Sequence, residues 1–431
     1  MISNLLEKTN NVKRSAYVWN AINAVLSACQ CPVILLVITR TNGMVDAGIF
    51  SIAFAVASLM LYVGLYGLRR FQASDVMEKY SFQQYHGMRF ITSAAMIIAS
   101  AAYCFYGILF NDYSWSKFTV VFMICMLKLI QAYSDVIHGR MQQKGRLDVA
   151  TKCSSVRYVL EVLAFIVMLI ITRNLVAATF VCVGVSVIVL MLTTVNVGRN
   201  YCELRPSFEG QMIKQLTIEG FPLFVSLFLN MYISNAPKYA IDAFLTEEIQ
   251  AYYNIIFMPA FMVGLIANFI FNPILTSYAE LWMSKTISDL KRLEKLIVRQ
   301  CFVVLGLSIL GLLIAYTIGI PVLSWIFSVD LSPFRNELCV VMMGGGMLAY
   351  SMFFSTVVTI IRMQAPMLIC YAIAALCAKI FSKFFVVQYG IMGAAAMYGI
   401  IMTLLSIMLA ILMIWRIRKE HKLVGDKFGR E

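Results

Sequence analysis

The chain has 431 residues, 61% of them hydrophobic and only 13% charged, with a formal net charge of +13. An ordinary soluble domain carries about a quarter charged residues, so this composition excludes that class and indicates a protein that crosses a bilayer many times. In a soluble protein the positive excess would suggest nucleic acid; here its distribution along the chain gives it another meaning.

The opening residues, MISNLLEKTNNVKR, are polar and lack a short apolar core with a small-residue cleavage site, so no removable leader is expected. Apolar windows long enough to span follow at 17–38, 47–68, 88–110, 118–138, 158–172, 174–195, 218–237, 251–273, 300–320, 338–361, 367–387 and 391–415. They predict an all-α polytopic membrane protein with about twelve transmembrane helices. The fifth window is short, and ITRN at 171–174 divides it from the sixth. If the segments alternate sides, 27 of the 35 Lys and Arg fall on the side of the two termini and 5 on the other. The positive-inside rule then expects both termini in the cytoplasm. The basic excess thus reads as topology and attraction to anionic lipid, with no nucleic-acid partner.

No loop is long enough to hold a soluble domain. The KRLEKLIVRQ run within 280–299 reads either as an interfacial helix joining two halves or as a charged linker. Residues 416–431 read as a polar cytoplasmic tail. The eleven Cys lie mostly inside apolar windows and behave as small hydrophobes, so neither a disulfide framework nor a metal site is indicated.

The fourth window, FTVVFMICMLKLIQAYSDVIH, carries Lys128 near its middle. At the helical rise the ammonium lies roughly 15 Å from either end, beyond easy reach of water. Placing it there costs about 2.5–3.5 kcal/mol on insertion scales. Gln131, Asp135 and His138 follow at helical spacing and predict one polar face. Two readings stay open. Either a carboxylate on a neighbouring helix neutralises Lys128 and fixes packing, or the face lines a water-filled cavity and binds a ligand.

The halves look weakly repeated. AGIFSIAFAVA at 47–57 aligns with AYYNIIFMPA at 251–260, and each follows a window bearing a polar stripe. The stripes are Asn20, Asn23, Ser27 and Gln30 in the first half, and Ser226, Asn230, Ser234 and Lys238 in the second. Each reads as interhelical hydrogen bonding or as one wall of a shared cavity between repeats. The expected organisation is a bundle at 1–197, a cytoplasmic linker at 198–217, a bundle at 218–415 and the tail.

ITRTNGMVDAGIFSIAFAVASL at 38–59, GLRRFQASD at 67–75 and SNAPKYAID at 234–242 resemble the Wzx-type oligosaccharide repeat-unit flippases of the MOP (MATE-like) superfamily. The matching positions are Arg69, Gln72 and Asp75, and Asn235, Pro237, Lys238 and Tyr239. The resemblance implies a V-shaped pair of six-helix bundles in the bacterial cytoplasmic membrane, alternating access to a cationic central cavity. It implies transfer of undecaprenyl diphosphate-linked oligosaccharide from the inner to the outer leaflet for cell-surface polysaccharide synthesis. Relatives export drugs by ion antiport or flip the peptidoglycan precursor.

Such a substrate needs cations for its diphosphate and amides, hydroxyls and aromatics for its sugar. Candidate cavity residues are Lys128, Gln131, Asn20, Asn23, Asn230 and Lys379. Arg40 and Lys238, beside Asp46 and Asp242, are candidates for an outer gate; Arg69, Arg70, Asp75 and Arg157 are candidates for the cytoplasmic mouth. The basic residues at the mouth read equally as topological signals, and Arg157 as the helical partner of Glu161. Asp75, Asp135, Glu161 and Asp242 are available for ion coupling. No cofactor is expected, and no GxxxxGK[ST] phosphate loop is present. A proton gradient, a sodium gradient or the membrane potential would supply the drive; the potential is worth about 2.3 kcal/mol per charge per 100 mV. Membrane lipids and a polysaccharide polymerase are the expected partners of a monomeric chain. The alternatives are a multidrug antiporter, which needs intramembrane acids, and a membrane polymerase or glycosyltransferase, which needs a sizeable outer loop. The longest outer loop, 318–337, offers only Asp330, Arg335 and Glu337.

Overall fold

The computed structural model describes residues 6–75, 78–271, 274–284 and 286–428, and among them the only regular structure is helical. By length and apolarity ten helical stretches qualify as spans, one of them a merged pair. In chain order the helices are α1 (Val12–Thr41), α2 (Met44–Leu65), the short α3 (Leu68–Ser74), α4 (Phe82–Phe110), α5 (Trp115–Gln143), α6 (Leu147–Thr172) and α7 (Leu175–Gly198). Then follow α8 (Gly210–Phe244), α9 (Glu247–Phe271), α10 (Leu275–Ser284), α11 (Ile287–Phe327), α12 (Arg335–Ile360) and α13 (Gln364–Phe428).

Local chemistry sets the boundaries. Asn11 caps α1 through a 3.0 Å bond from the Arg14 N–H, and Ser81 with Gln84 forms a reciprocal capping box at α4. At ITRN, Arg173 closes α6 in the left-handed region (φ 50°), and the Asn174 side chain opens α7 by accepting from Ala177 N–H. Within α13 the helix breaks at Gly390, whose φ of 56° and ψ of −132° suit glycine, so the last two predicted spans are separate.

The chain divides into two compact units, Met1–Met231 and Tyr232–Glu431, so that α8 begins in the first and ends in the second. In the first unit α5 is the central helix, packed by α2, α3, α4 and α7, while α1 and α6 pack on each other. In the second unit α12 is central, packed by α9, α10, α11 and α13.

Three expectations are corrected. The fifth span is not short: α6 has 26 residues, because Asp148, Lys152 and Arg157 depress its hydropathy yet are buried inside the unit. The 280–299 segment is neither a separate interfacial helix nor a linker. From Ile287 it is the first part of α11, burying Leu290, Leu293 and Ile297. The stretch read as a polar cytoplasmic tail is helical from Arg416 to Phe428, as the last part of α13. The 318–337 segment is mostly helix rather than loop, leaving a short connection at 328–331 before a 3-10 turn at Ser332–Phe334 that runs directly into α12.

Candidate functional site: a buried cationic network in the first unit

Lys128 is 5% exposed, in the middle of α5. Its ammonium donates to Gln30 Oε1 on α1 at 3.1 Å and to Gln131 Oε1 at 3.4 Å, and lies 4.4 Å from the centre of the Phe54 ring on α2. Gln30 is buried and passes the contact on: its Nε2 donates to Glu161 Oε2 on α6 at 2.9 Å. The same carboxylate accepts from Arg157, one helical turn earlier, at 2.7 Å and from the Ser186 hydroxyl on α7. Five helices therefore meet at one site with two cations and one anion.

The physical logic is desolvation. A buried carboxylate is tolerable only when its lone pairs are filled, and Glu161 has three donors. Arg157 is 2% exposed, so it is not the mouth residue considered from the sequence; it is the partner of Glu161. Lys128 is left with neutral amide oxygens and an aromatic face. A phosphate oxygen would be a stronger partner for it than either amide.

A second cluster lies further along α5. The chain turns at Tyr66 and Gly67, both with left-handed φ, and this seats α3 against α5. Arg69 reaches Asp135 at 3.4 Å and the side-chain Oε1 of Gln142 at 3.1 Å, while Arg89 on α4 reaches the other Asp135 oxygen at 2.9 Å and the backbone carbonyl of Gly64. Arg89 is fully buried. Gln72 packs against Gly139, where any Cβ would strike its amide. Beyond it Asp75 binds the Lys79 and Tyr80 N–H groups at 2.8 and 3.0 Å and the Tyr85 hydroxyl at 3.1 Å. Partial burial pushes the Asp75 carboxyl up, but these three donors outweigh it and hold it below the usual aspartate value. Glu78 is likewise held low by the hydrogen bond from Arg140, aided by Lys144.

The single polar face expected on α5 is thus divided. Lys128 and Gln131 serve the first network, Asp135 the second, and His138 turns to Thr194 on α7 and Ser154 on α6. On α1, Gln30 enters the network, Asn23 is half-buried with its Oδ1 unpartnered, and Asn20 is exposed. Arg40 and Arg70 are exposed, and Asp46 accepts from Asn42 at 2.7 Å. In the second unit Lys238 is buried 4.7 Å from the Phe257 ring centre, with Asp242 buried one turn on. Asn230, near the boundary in α8, is half-buried, and Lys379 on α13 is exposed. Among the described residues no group of His, Cys, Asp and Glu is arranged to hold a metal ion.

Sequence reading missed Arg89, Ser186 and Phe54. Arg89 falls at the edge of the 88–110 window, yet α4 begins at Phe82 and carries it two turns inside. The Ser81-x-x-Gln84 capping box was the available signal for that earlier start.

No family model matches the chain, and no curated protein matches it in sequence. Solved structures match it in fold. A multidrug resistance MATE family transporter of the MOP superfamily, in an inward-facing conformation, gives a TM-score of 0.64 at 12% identity over 95% of this chain and 99% of its own. The Vibrio cholerae MATE transporter VcmN in its bent form gives 0.58 at 13% identity over 95% and 98%. A MOP superfamily transporter from Pyrococcus furiosus, described by a reversed polarity of its binding pocket that suggests a different function, gives 0.58 at 12% identity over 98% of each. The fold is therefore the MATE-like one.

Proposed function

We propose that the chain is a membrane transporter that exports an anionic, polyprenyl diphosphate-linked oligosaccharide by alternating access. The observation that supports this reading most is the charge state of the first unit's interior. Asp135 and Glu161, the acids beside Lys128 along α5 and α6, are already ion-paired by Arg69, Arg89 and Arg157, whereas Lys128 is held by neutral amides. A cationic drug would find each carboxylate occupied; an anion would find a cation whose partners it can displace. The fold likeness supports transport, and one neighbour on this fold is described by a reversed polarity of its binding pocket that suggests a different function.

A multidrug antiporter is the second reading, favoured by the fold neighbours named for multidrug resistance. In that reading Glu161 or Asp135 would exchange its arginine for a drug cation. An embedded polymerase or glycosyltransferase fits less well, because the outer segment at 318–337 is mostly helix.

Leaflet-resolved transport in proteoliposomes separates these readings. A labelled polyprenyl diphosphate oligosaccharide is expected to cross faster under an imposed potential. Lys128→Ala is expected to reduce the rate at least tenfold at unchanged expression, with Lys128→Arg retaining part of it. No movement of the glycolipid, together with gradient-driven uptake of a cationic dye, would overturn the proposal in favour of antiport. A fully active alanine variant would reduce Lys128 to a packing residue.

A further inference from the structure

The end of α13 carries a feature that transport does not explain. Its last three turns are docked on one face only. Met413, Ile417, Glu420 and Val424 are buried, Arg416 pairs with Glu420 at 2.9 Å and lies 5.5 Å from the Trp282 ring centre, and His421 lies 3.2 Å from Glu294 of α11. The opposite face is open and forms a groove of about 740 Å³ lined by Ile411, Ile414, Trp415, Arg418, Lys419 and Lys422. These positions follow the spacing of a single helical stripe. Along it the chemistry changes from aliphatic through indole to three cations, over roughly 16 Å of helix axis.

We infer that this groove is a binding site for one anionic phospholipid, with acyl chain along Ile411 and Ile414, glycerol at Trp415, and phosphate at Arg418, Lys419 and Lys422. The order matches the lipid's own polarity gradient. Trp415 is 53% exposed although its neighbours Met413 and Ile417 are buried, and an indole held outward at the junction of apolar and basic residues is the side chain suited to the headgroup boundary. Lys419 sits 5.3 Å from the Trp415 ring centre, so the cation is held over the boundary rather than free to reach solvent. The carboxylate nearest in sequence, Glu420, is buried on the docked face and is engaged by Arg416. The positive balance of this end expects it in the cytoplasm, where the leaflet surface is negative.

Bromine-labelled phospholipid tests this. The full chain, with Trp19, Trp115, Trp282 and Trp325 changed to Phe so that Trp415 reports alone, is reconstituted in vesicles of phosphatidylcholine containing either brominated phosphatidylglycerol or brominated phosphatidylcholine at the same fraction. Quenching of Trp415 is expected to be at least threefold stronger with the anionic lipid, since each basic group near a bilayer surface adds roughly a fivefold preference. Arg418→Gln/Lys419→Gln/Lys422→Gln should bring the two lipids to parity, and Arg418→Lys/Lys419→Arg/Lys422→Arg should keep the preference. Titration with polyprenyl diphosphate distinguishes the other source of the same chemistry. Equal quenching by the two lipids, a preference that survives the glutamine variant, or displacement by equimolar polyprenyl diphosphate would each overturn the assignment. If the four-fold Phe variant does not reconstitute, native mass spectrometry of the wild type and the glutamine variant reads the same site: wild type retains one more phosphatidylglycerol, and equal retention overturns the proposal.

Discussion

The two units place a central helix at the same position, α5 as the fourth span and α12 as the tenth, but hold it by different means. Around α5 the interior contains a cluster of buried charges: Arg89, Lys128, Arg157 and Glu161 are all at most 5% exposed. Around α12 the means is close approach of small residues. Gly344 packs on Tyr398, Gly345 on Ala260 and Gly346 on Ser308, and the unit's buried charges include Lys238 and Asp242 on α8 and Glu420 on α13. The difference teaches where energy is being spent. Small-residue packing brings backbones together at little cost in polarity. A desolvated ion network is costly to assemble and breaking it leaves a buried charge uncompensated, so the one around α5 is where a substitution is expected to cost most.

The largest expected effect is therefore in the first unit. Glu161→Ala leaves Arg157 and Lys128 facing each other across Gln30 without an anion. The loss should be on the order of 3 kcal/mol, equivalent to roughly a hundredfold faster amide exchange in α5 to α7. Exchange in α9 and α12 should not change. A uniform loss across both units, or none, would break the contrast drawn above. The matching change in the second unit is Gly345→Val. Even a first carbon there would sit 2.9 Å from Ala260 Cβ and 3.1 Å from its Cα, and backbone cannot yield as a flexible side chain does. Overpacking of this kind costs about 1–3 kcal/mol. Exchange should quicken in α9 and α12 and leave α5 to α7 alone.

Much of this contrast was legible in the sequence, and the part that was not has a physical reason. Twelve apolar windows and the ITRN break are matched by the helices, because span length and capping chemistry are local. Lys128 stood out for the same reason: one charge in an apolar run needs no partner to be noticed. Gln30 was visible only as a member of a stripe. That its amide would accept from Lys128 and donate to Glu161 depends on α1 meeting α5 and α6, a contact 98 and 131 residues away in the chain. Arg89 and Arg157 stood at the edges of the 88–110 and 158–172 windows, because charged residues depress hydropathy and shorten a window relative to its helix; that both are buried depends on contacts with other helices. The face of α5 was divided for a similar reason. Helical spacing fixes direction on one helix, but the neighbours decide what each direction meets.

The smallest effect sharpens the comparison by moving the same chemistry out of the spans. Asp75, in the turn after α3, accepts two backbone N–H groups and the Tyr85 hydroxyl, as Glu161 accepts three donors, but it does so partly in water. Exposure lets solvent replace what is lost, so Asp75→Asn should cost about 1 kcal/mol or less. Its carboxyl is held below the ordinary value of 3.8 in the folded chain. The sign follows from which state binds the proton more weakly: stability from this group is present above the unfolded value and is lost as the pH falls through the folded one. Acidification from pH 5 toward 3 should therefore loosen exchange at Lys79 and Tyr80 in wild type and do less in Asp75→Asn, while α12 stays unaffected. If Asp75→Asn instead matched Glu161→Ala in size, desolvation would not be what separates the interior of the first unit from its rim.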